Sequence, residues 1–297
     1  MFAAIDGFQE KEYDHLMSEP LTGGSGRMKT MKKLLLFLLF AIALALALSA
    51  ACAEEITLLD DENALVVVRG MKTEDDTFFM DMHLENRTGV NLMVAFWDDV
   101  LNGYSADSFW ACLLAPGESA DSVATTRHLA MKGVTGDVTV VSFTLRVYND
   151  DDWSVPNFWK QRYTLYPFGE ENASIAEREP GDSDVVIVDN EYMTLIAWGY
   201  QFDSLWGLKV HLYVVNKTDS VLMVSLRNAS LNGYQLDPKW ACEIPARARS
   251  NEFFWFDRSS LQENSISDVK EITAFFLAYD FLDHSVEYFD GGVTLRP

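Results

Sequence analysis

Cysteines, histidines and carboxylates are the residues here whose side chains could do chemistry, and the chain carries 3, 5 and 45 of them. Cys112 and Cys242 stand at equivalent places just after Trp110 and Trp240. A thiol so placed serves as a small apolar residue packed against the indole. The same two residues also fit an interdomain disulfide in an exported chain. Neither reading makes a nucleophile, because no histidine keeps step with them. His83, His128, His211 and His284 fall at no i, i+2 or i+4 spacing to one another, so no zinc site is predicted. The acidic runs Asp60-Asp61-Glu62, Glu74-Asp75-Asp76 and Asp150-Asp151-Asp152 lack a calcium-loop pattern and read as solvated turns. Serine-hydrolase, phosphate-loop and dinucleotide glycine patterns are absent. A glycosidase needs only two carboxylates, but a small duplicated β domain is a poor setting for one. The expectation is a chain without catalytic residues, cofactor or metal.

Tryptophans are the other candidates. Trp97, Trp153, Trp159, Trp198, Trp206 and Trp255 are not shared between the two halves of the chain, whereas Trp110 and Trp240 are. Exposed, the unshared rings could stack on sugars or anchor a protein; buried, they are core. The formal charge of −22 repels phosphate backbones and anionic lipid, so nucleic acid is excluded as a partner. Five basic and five acidic residues share positions 1–53, so the rest of the chain keeps the whole excess.

Export is written near the N-terminus. Lys29, Lys32 and Lys33 precede an unbroken apolar stretch from Leu34 to Leu48. That is short for a membrane span and right for a signal peptide. Ala51-Cys52-Ala53 fits cleavage before Glu54; Leu48-Ser49-Ala50-Ala51-Cys52 also fits lipidation at Cys52. Residues 1–27 match no leader and are expected to be a mis-assigned extension, with Met28 the start. Contact with a membrane is expected only through the signal peptide or a lipid at Cys52.

The elements that position everything else are duplicated. A shift of 130 residues lays Asn86 and Thr88 on Asn216 and Thr218, Leu101-Asn102-Gly103-Tyr104 on Leu231-Asn232-Gly233-Tyr234, and Trp110-Ala111-Cys112 on Trp240-Ala241-Cys242. Residues 82–112 hold 13 identities in 31 positions, where chance gives about two. The layout is therefore 1–27 extension, 28–53 signal peptide, 54–167 first copy, 168–184 acidic linker and 185–297 second copy. Phe78–Leu84 and Lys209–Val215 alternate apolar and polar residues as half-buried strands do. Val138–Tyr148 and Ile272–Tyr279 are rich in β-branched and aromatic residues, and only Thr126–Lys132 and Ser259–Asn264 hint at helical turns. Short strands with turns between them predict an all-β chain of two tandem immunoglobulin-like antiparallel β-sandwiches. Within them Asn102, Gly103, Tyr104 and Trp110, with Asn232, Gly233, Tyr234 and Trp240, are expected to be structural. The asparagine bends the chain, the glycine takes positive φ, and the tyrosine packs with its hydroxyl on a backbone group. The sequons at Asn86, Asn172, Asn216 and Asn228 read as turn residues.

Asp189-Asn190-Glu191, the Asn-x-Thr turn, the Leu-Asn-Gly-Tyr segment and the Phe-rich strand ending in Tyr279-Asp280 carry a resemblance. They look like a domain of unknown function widespread in secreted proteins and lipoproteins of Gram-positive gut bacteria, within the immunoglobulin-like clan that includes a small mycobacterial secreted antigen. The resemblance covers both copies, is better in the second, and implies the sandwich fold and an envelope location but no activity. The function expected is a non-catalytic extracellular interaction module for an unknown protein, with a glycan ligand as the alternative and hydrolysis behind both.

Overall fold

Alternating apolar residues become strands throughout the region described by the computed structural model, residues 55–296 apart from Phe109, Ala176 and Asp237. The leader, Cys52 and residues 1–27 lie outside the described residues. The first strand set comprises β1 (Ile56–Asp60), β2 (Ala64–Glu74), β3 (Thr77–Asn86), β4 (Leu92–Leu101), β5 (Tyr104–Ser105), β6 (Trp110–Leu114), β7 (Ser119–Arg127), β8 (Val141–Asn149) and β9 (Trp159–Leu165). A single helical turn, α1 (Leu129–Lys132), follows β7. One sheet runs β1-β2-β3-β7; in the other, β4 pairs with β5, β6 and β8, and β8 with β9. Every pairing within the set is antiparallel.

Period two decides which side chains go inside. Phe78, Met80, Met82 and Leu84 of β3 are buried, while Phe79, Asp81 and His83 face outward. They meet Leu92, Val94 and Phe96 of β4 and Phe143, Leu145 and Val147 of β8 in one core, so the two sheets face each other. Each such large side chain contributes about 1.5–3 kcal/mol by leaving water.

The second strand set repeats this order: β10 (Val185–Asp189), β11 (Met193–Asp203), β12 (Gly207–Asn216), β13 (Leu222–Leu231), β14 (Tyr234–Gln235), β15 (Ala241–Ile244), β16 (Arg249–Asp257), α2 (Arg258–Glu263), β17 (Ile272–Asp280) and β18 (Glu287–Leu295). Its sheets are β10-β11-β12-β16, and β13 paired with β14, β15 and β17, with β18 beyond. A bulge between Ala197 and Gly199 on β11 stands where one between Val68 and Gly70 interrupts β2. Its own core centres on Leu212, Val224, Phe254, Phe256 and Phe276.

The sets meet through a parallel contact, Arg249 of β16 beside Tyr104 of β5, where the Arg249 N–H donates to the Gly103 carbonyl at 3.0 Å. Tyr213 of β12 packs into the first core and Val100 of β4 into the second. Residues 168–184, read from sequence as a tether, are fastened to both sides. The Ser174 N–H donates to Thr139 Oγ1 at 2.9 Å, Ser183 Oγ donates to the Trp198 carbonyl at 2.8 Å, and Arg178 grips Asp184 at 2.5–2.6 Å.

Candidate functional site

The residues shared by both sets turn out to hold the backbone. Asn102 and Gly103 have φ of 47° and 84°, and Asn232 and Gly233 have 52° and 84°, the signs a two-residue hairpin turn requires. Asn102 Nδ2 donates to the Asp137 carbonyl at 2.9 Å, and its Oδ1 accepts the N–H groups of Thr139 and Val140. Asn232 does the same with Asp268, Lys270 and Glu271. The tyrosines differ from expectation. Tyr104 is 4% exposed, lies under the Arg249 guanidinium, and shares a hydrogen bond with the Tyr213 hydroxyl rather than with backbone. Tyr234 is 47% exposed because no neighbouring strand set covers its hairpin. Trp110 is buried, 4.6 Å from Phe96 and donating to Ser122 Oγ, whereas half-buried Trp240 meets Phe276 edge-on and bonds Glu252.

Cys112 and Cys242 are free thiols, so the interdomain disulfide is not formed. The junction explains this. The sets pack head to tail, not about a two-fold axis: Cys112 bonds Ser122 within its own set, while Cys242 lies near Glu252 and Asp107. Burial raises both thiols, and the carboxylates around Cys242 push it further, which makes both poor nucleophiles.

The acidic runs are tied up in turns. Asp61 Oδ1 accepts the N–H groups of Asn63 and Ala64, Asp76 Oδ1 that of Ala130, and Asp151 binds both Asn91 nitrogens. No group of histidine, cysteine or carboxylate residues is arranged to hold a metal among the described residues.

A shallow cleft of about 160 Å³ opens at the junction, lined by Phe96, Trp97, Asp98, Asp99, Asp107 and Ser108 with Val221, Glu243 and Pro245. Burial raises the Asp99 carboxyl, which accepts from Ser108. Burial also raises Glu243 and Glu252, with the charge of Asp107 adding to each. Sequence reasoning missed this cluster, whose members are brought together only by the packing of the two sets. Its volume falls short of the roughly 300–1,000 Å³ of ordinary ligand pockets.

A larger difference lies on the outer face of β11, β12 and β16. Register puts Lys209 opposite Trp255, His211 opposite Phe253, and Tyr213 opposite Asn251, all on the face turned from the second core, with Tyr213 buried against the first. Trp198, at the β11 bulge, stacks on His211 at 4.6 Å; His211 lies 6.3 Å from Phe253, Phe253 6.0 Å from Trp255, and Trp255 5.3 Å from Trp206. The Lys209 ammonium sits 4.9 Å from the Phe253 ring. Burial first, then the Lys209 charge, lowers the His211 pKa, so its ring is neutral at neutral pH. Arg178 from the connecting segment covers Trp198 and Tyr213 at one end of the row, and the other end is open.

No family model matches this chain, and no curated protein does. Among solved structures, the YadV chaperone aligns at 13% identity over 78% of this chain and 100% of its own, with a TM-score of 0.24. A red sea bream transglutaminase aligns at 8% identity over 82% of this chain and 31% of its own, with a TM-score of 0.19. Likenesses this weak leave the site to be read from its own residues.

The same face of the first set is largely charged, with Phe79 and exposed Val123 its apolar members. Arg69, Asp81, His83 and Asp121 take the places of Trp198, His211, Tyr213 and Asn251, with Arg69 and His83 both bonded to Asp121 at 2.8 and 2.7 Å. The remaining unshared tryptophans do not join the row. Trp97 is exposed beneath Arg146, Trp153 is exposed beside Tyr148, and Trp159 is half-buried and donates to Tyr163.

Proposed function

We propose that this chain is an exported, non-catalytic interaction module of two tandem immunoglobulin-like sandwiches, and that it binds an extracellular protein through the aromatic outer face of the second. The observation that carries this reading is the contrast between the faces: a row of five rings on β11, β12, β16 and their tip, against an ion-paired patch with only Phe79 and Val123 beside it on β2, β3 and β7. A shared skeleton does not require aromatic residues on this face, and clustered half-buried rings that end in exposed Trp206 can anchor a protein partner. From His211 to Trp206 neighbouring rings meet at 49–68°, a corrugated surface that suits protein side chains, while Trp198 and His211 stack at 26°. Export rests on the leader at 28–53, with free release after Ala53 or lipid anchoring at Cys52.

A glycan is the second reading, favoured by the row itself, since sugars stack on aromatic rings. The test is capture of extracellular proteins by residues 54–297, beside the Phe253→Ser and Trp255→Ser variants. A protein retained by the parent and lost by both variants supports the module. Equal capture by all three overturns it, and binding on a polysaccharide panel with no protein capture transfers the face to glycans.

A further inference from the structure

The β11–β12 hairpin ends in a tip unlike that of the equivalent hairpin in the first strand set. Tyr200, Phe202, Leu205 and Trp206 are all exposed there, Leu205 by 75%. The corresponding β2–β3 tip is Glu74-Asp75-Asp76, with Lys72 paired to Glu74 at 2.7 Å. Trp206 packs on Trp255, but a leucine as far into solvent as Leu205 adds little packing to the fold.

The polar groups of the tip are already satisfied from within. Asp203 Oδ1 accepts the N–H groups of Leu205 and Trp206 at 2.8 and 2.9 Å, and its other oxygen meets the Lys209 ammonium at 3.2 Å. Arg258 Nη1 donates to the Ser204 carbonyl at 2.7 Å. A loop normally resists an apolar phase because its unpaired backbone groups and charges must give up water. Here the carboxylate has its counter-ion and two backbone donors, and the turn carbonyl has its cation. The two cations stand at the base of the tip, where they would reach phosphate oxygens. Tyrosine, tryptophan, phenylalanine and leucine are also the side chains that settle at a bilayer interface.

We propose that this hairpin tip inserts into the interfacial layer of a lipid bilayer. The charge of the chain sets the kind of membrane: −22 overall repels an anionic surface, so the fit is to a zwitterionic one. This inference rests on other side chains than the aromatic face: the two share β11 and β12 and meet at Trp206 and at the Lys209–Asp203 pair, but Tyr200, Phe202 and Leu205 belong to the tip alone.

The experiment is cosedimentation of residues 54–297, free of the apolar leader, with phosphatidylcholine vesicles. The expected result is that the parent pellets with the vesicles and that Leu205→Asp lowers the partition coefficient about tenfold or more. Phe202→Ser is expected to weaken it in the same direction, while Trp153→Ser, which removes an exposed ring from the first strand set, leaves it unchanged. Thermal unfolding of Leu205→Asp should match the parent, because the side chain lies in solvent. A parent that stays in the supernatant overturns the proposal, as does a Leu205→Asp chain that pellets equally. Binding that requires anionic lipid and vanishes in salt also overturns it, since cations alone would then account for it. Loss of protein capture with vesicle binding intact would remove the proposed interaction face and leave the tip standing.

Discussion

Replacing Asn216 by alanine should destabilise the second strand set by about 2–4 kcal/mol, and replacing it by aspartate should cost more. The side chain is 1% exposed, and its amide donates to the carbonyls of Ser220, Ile244 and Pro245 at 2.8, 2.9 and 3.0 Å. Its Oδ1 accepts both the N–H and the hydroxyl of Thr218. Alanine removes all of these, but some partners keep others: Ser220 O retains the Thr218 hydroxyl, and Pro245 O retains the Ala248 N–H. What is left is an underserved Ile244 carbonyl and an orphaned Thr218 N–H, each worth about 1–3 kcal/mol when buried. The Thr218 amide is half-buried, and water reaching it holds the total near the lower figures. Aspartate keeps the shape but turns an acceptor toward three carbonyls, so repulsion adds to the loss. A purely space-filling role ranks the variants in the opposite order. Guanidinium unfolding followed by tryptophan fluorescence reads this directly, with exposed Asn228→Ala as a control expected within about 0.5 kcal/mol of the parent. An aspartate variant as stable as the alanine variant or more so would refute the reasoning. Asn86, with the same bonds to Val90, Leu114 and Ala115, should behave alike in the first set.

The junction carboxylates predict an unusual pH response. Asp99, Glu243 and Glu252 are raised above their ordinary 3.8, 4.5 and 4.5, so the folded chain binds more protons than the unfolded one between the ordinary and raised values. Their penalty is therefore full above the raised values and is relieved as pH falls toward the ordinary ones. The lowered carboxylates, such as Asp184 and Asp203, lose their contribution only as pH falls below about 4. These carboxylates should thus raise the unfolding midpoint as pH falls toward their ordinary values, against His211, whose lowered pKa withdraws stability below about pH 6.5. Asp107→Asn, which removes a charge acting on Glu243 and Glu252, should raise the midpoint at neutral pH by more than at about pH 4.5; an equal effect at both pH values in thermal melts would contradict the cluster. Gly207 has φ of 104°, and a Cβ there would overlap the Phe256 carbonyl oxygen and lie 2.7 Å from the Arg258 nitrogen. Gly207→Ala should cost about 2–4 kcal/mol, whereas Gly233→Ala, with φ of 84° and nothing within 4 Å, should cost about 1 kcal/mol in the same denaturant series.

Strands were legible wherever one face is dry. Phe78–Leu84 alternates because its even positions meet β4 and β8, and period two survives in the sequence. The paired asparagines do make turns, each Oδ1 accepting the N–H two residues on, but they also do more. Asn86 and Asn216 have the residue type of exposed turns, yet their amides are buried latches between carbonyls 28 and 29 residues further along the chain. Polarity hid the burial. Tyr104 and Tyr234 are identical in sequence and opposite in exposure, because only the packing of one strand set on the other covers the first. No local pattern carries that information.

The aromatic face was hidden for a related reason. Lys209, His211 and Tyr213 read simply as the wet side of an alternating strand. They become part of a surface only when β16 lies in register beside β12, about forty residues away in sequence, and when the β11 bulge turns Trp198 outward. The inward positions of both sets answer to the same packing, so they stay alike. The outward positions answer to solvent in one set and leave room for something else in the other. In the first set that freedom is taken up by ions: Arg69, His83 and Asp121 satisfy one another and water. In the second it is taken up by rings that pack on each other, on Lys209 and on the connecting segment, and at one end, through Trp198 and Tyr213, on the first core. The stretch from Phe253 to Trp206 is outside that contact, and it is there that the proposed binding to a partner outside the chain would act.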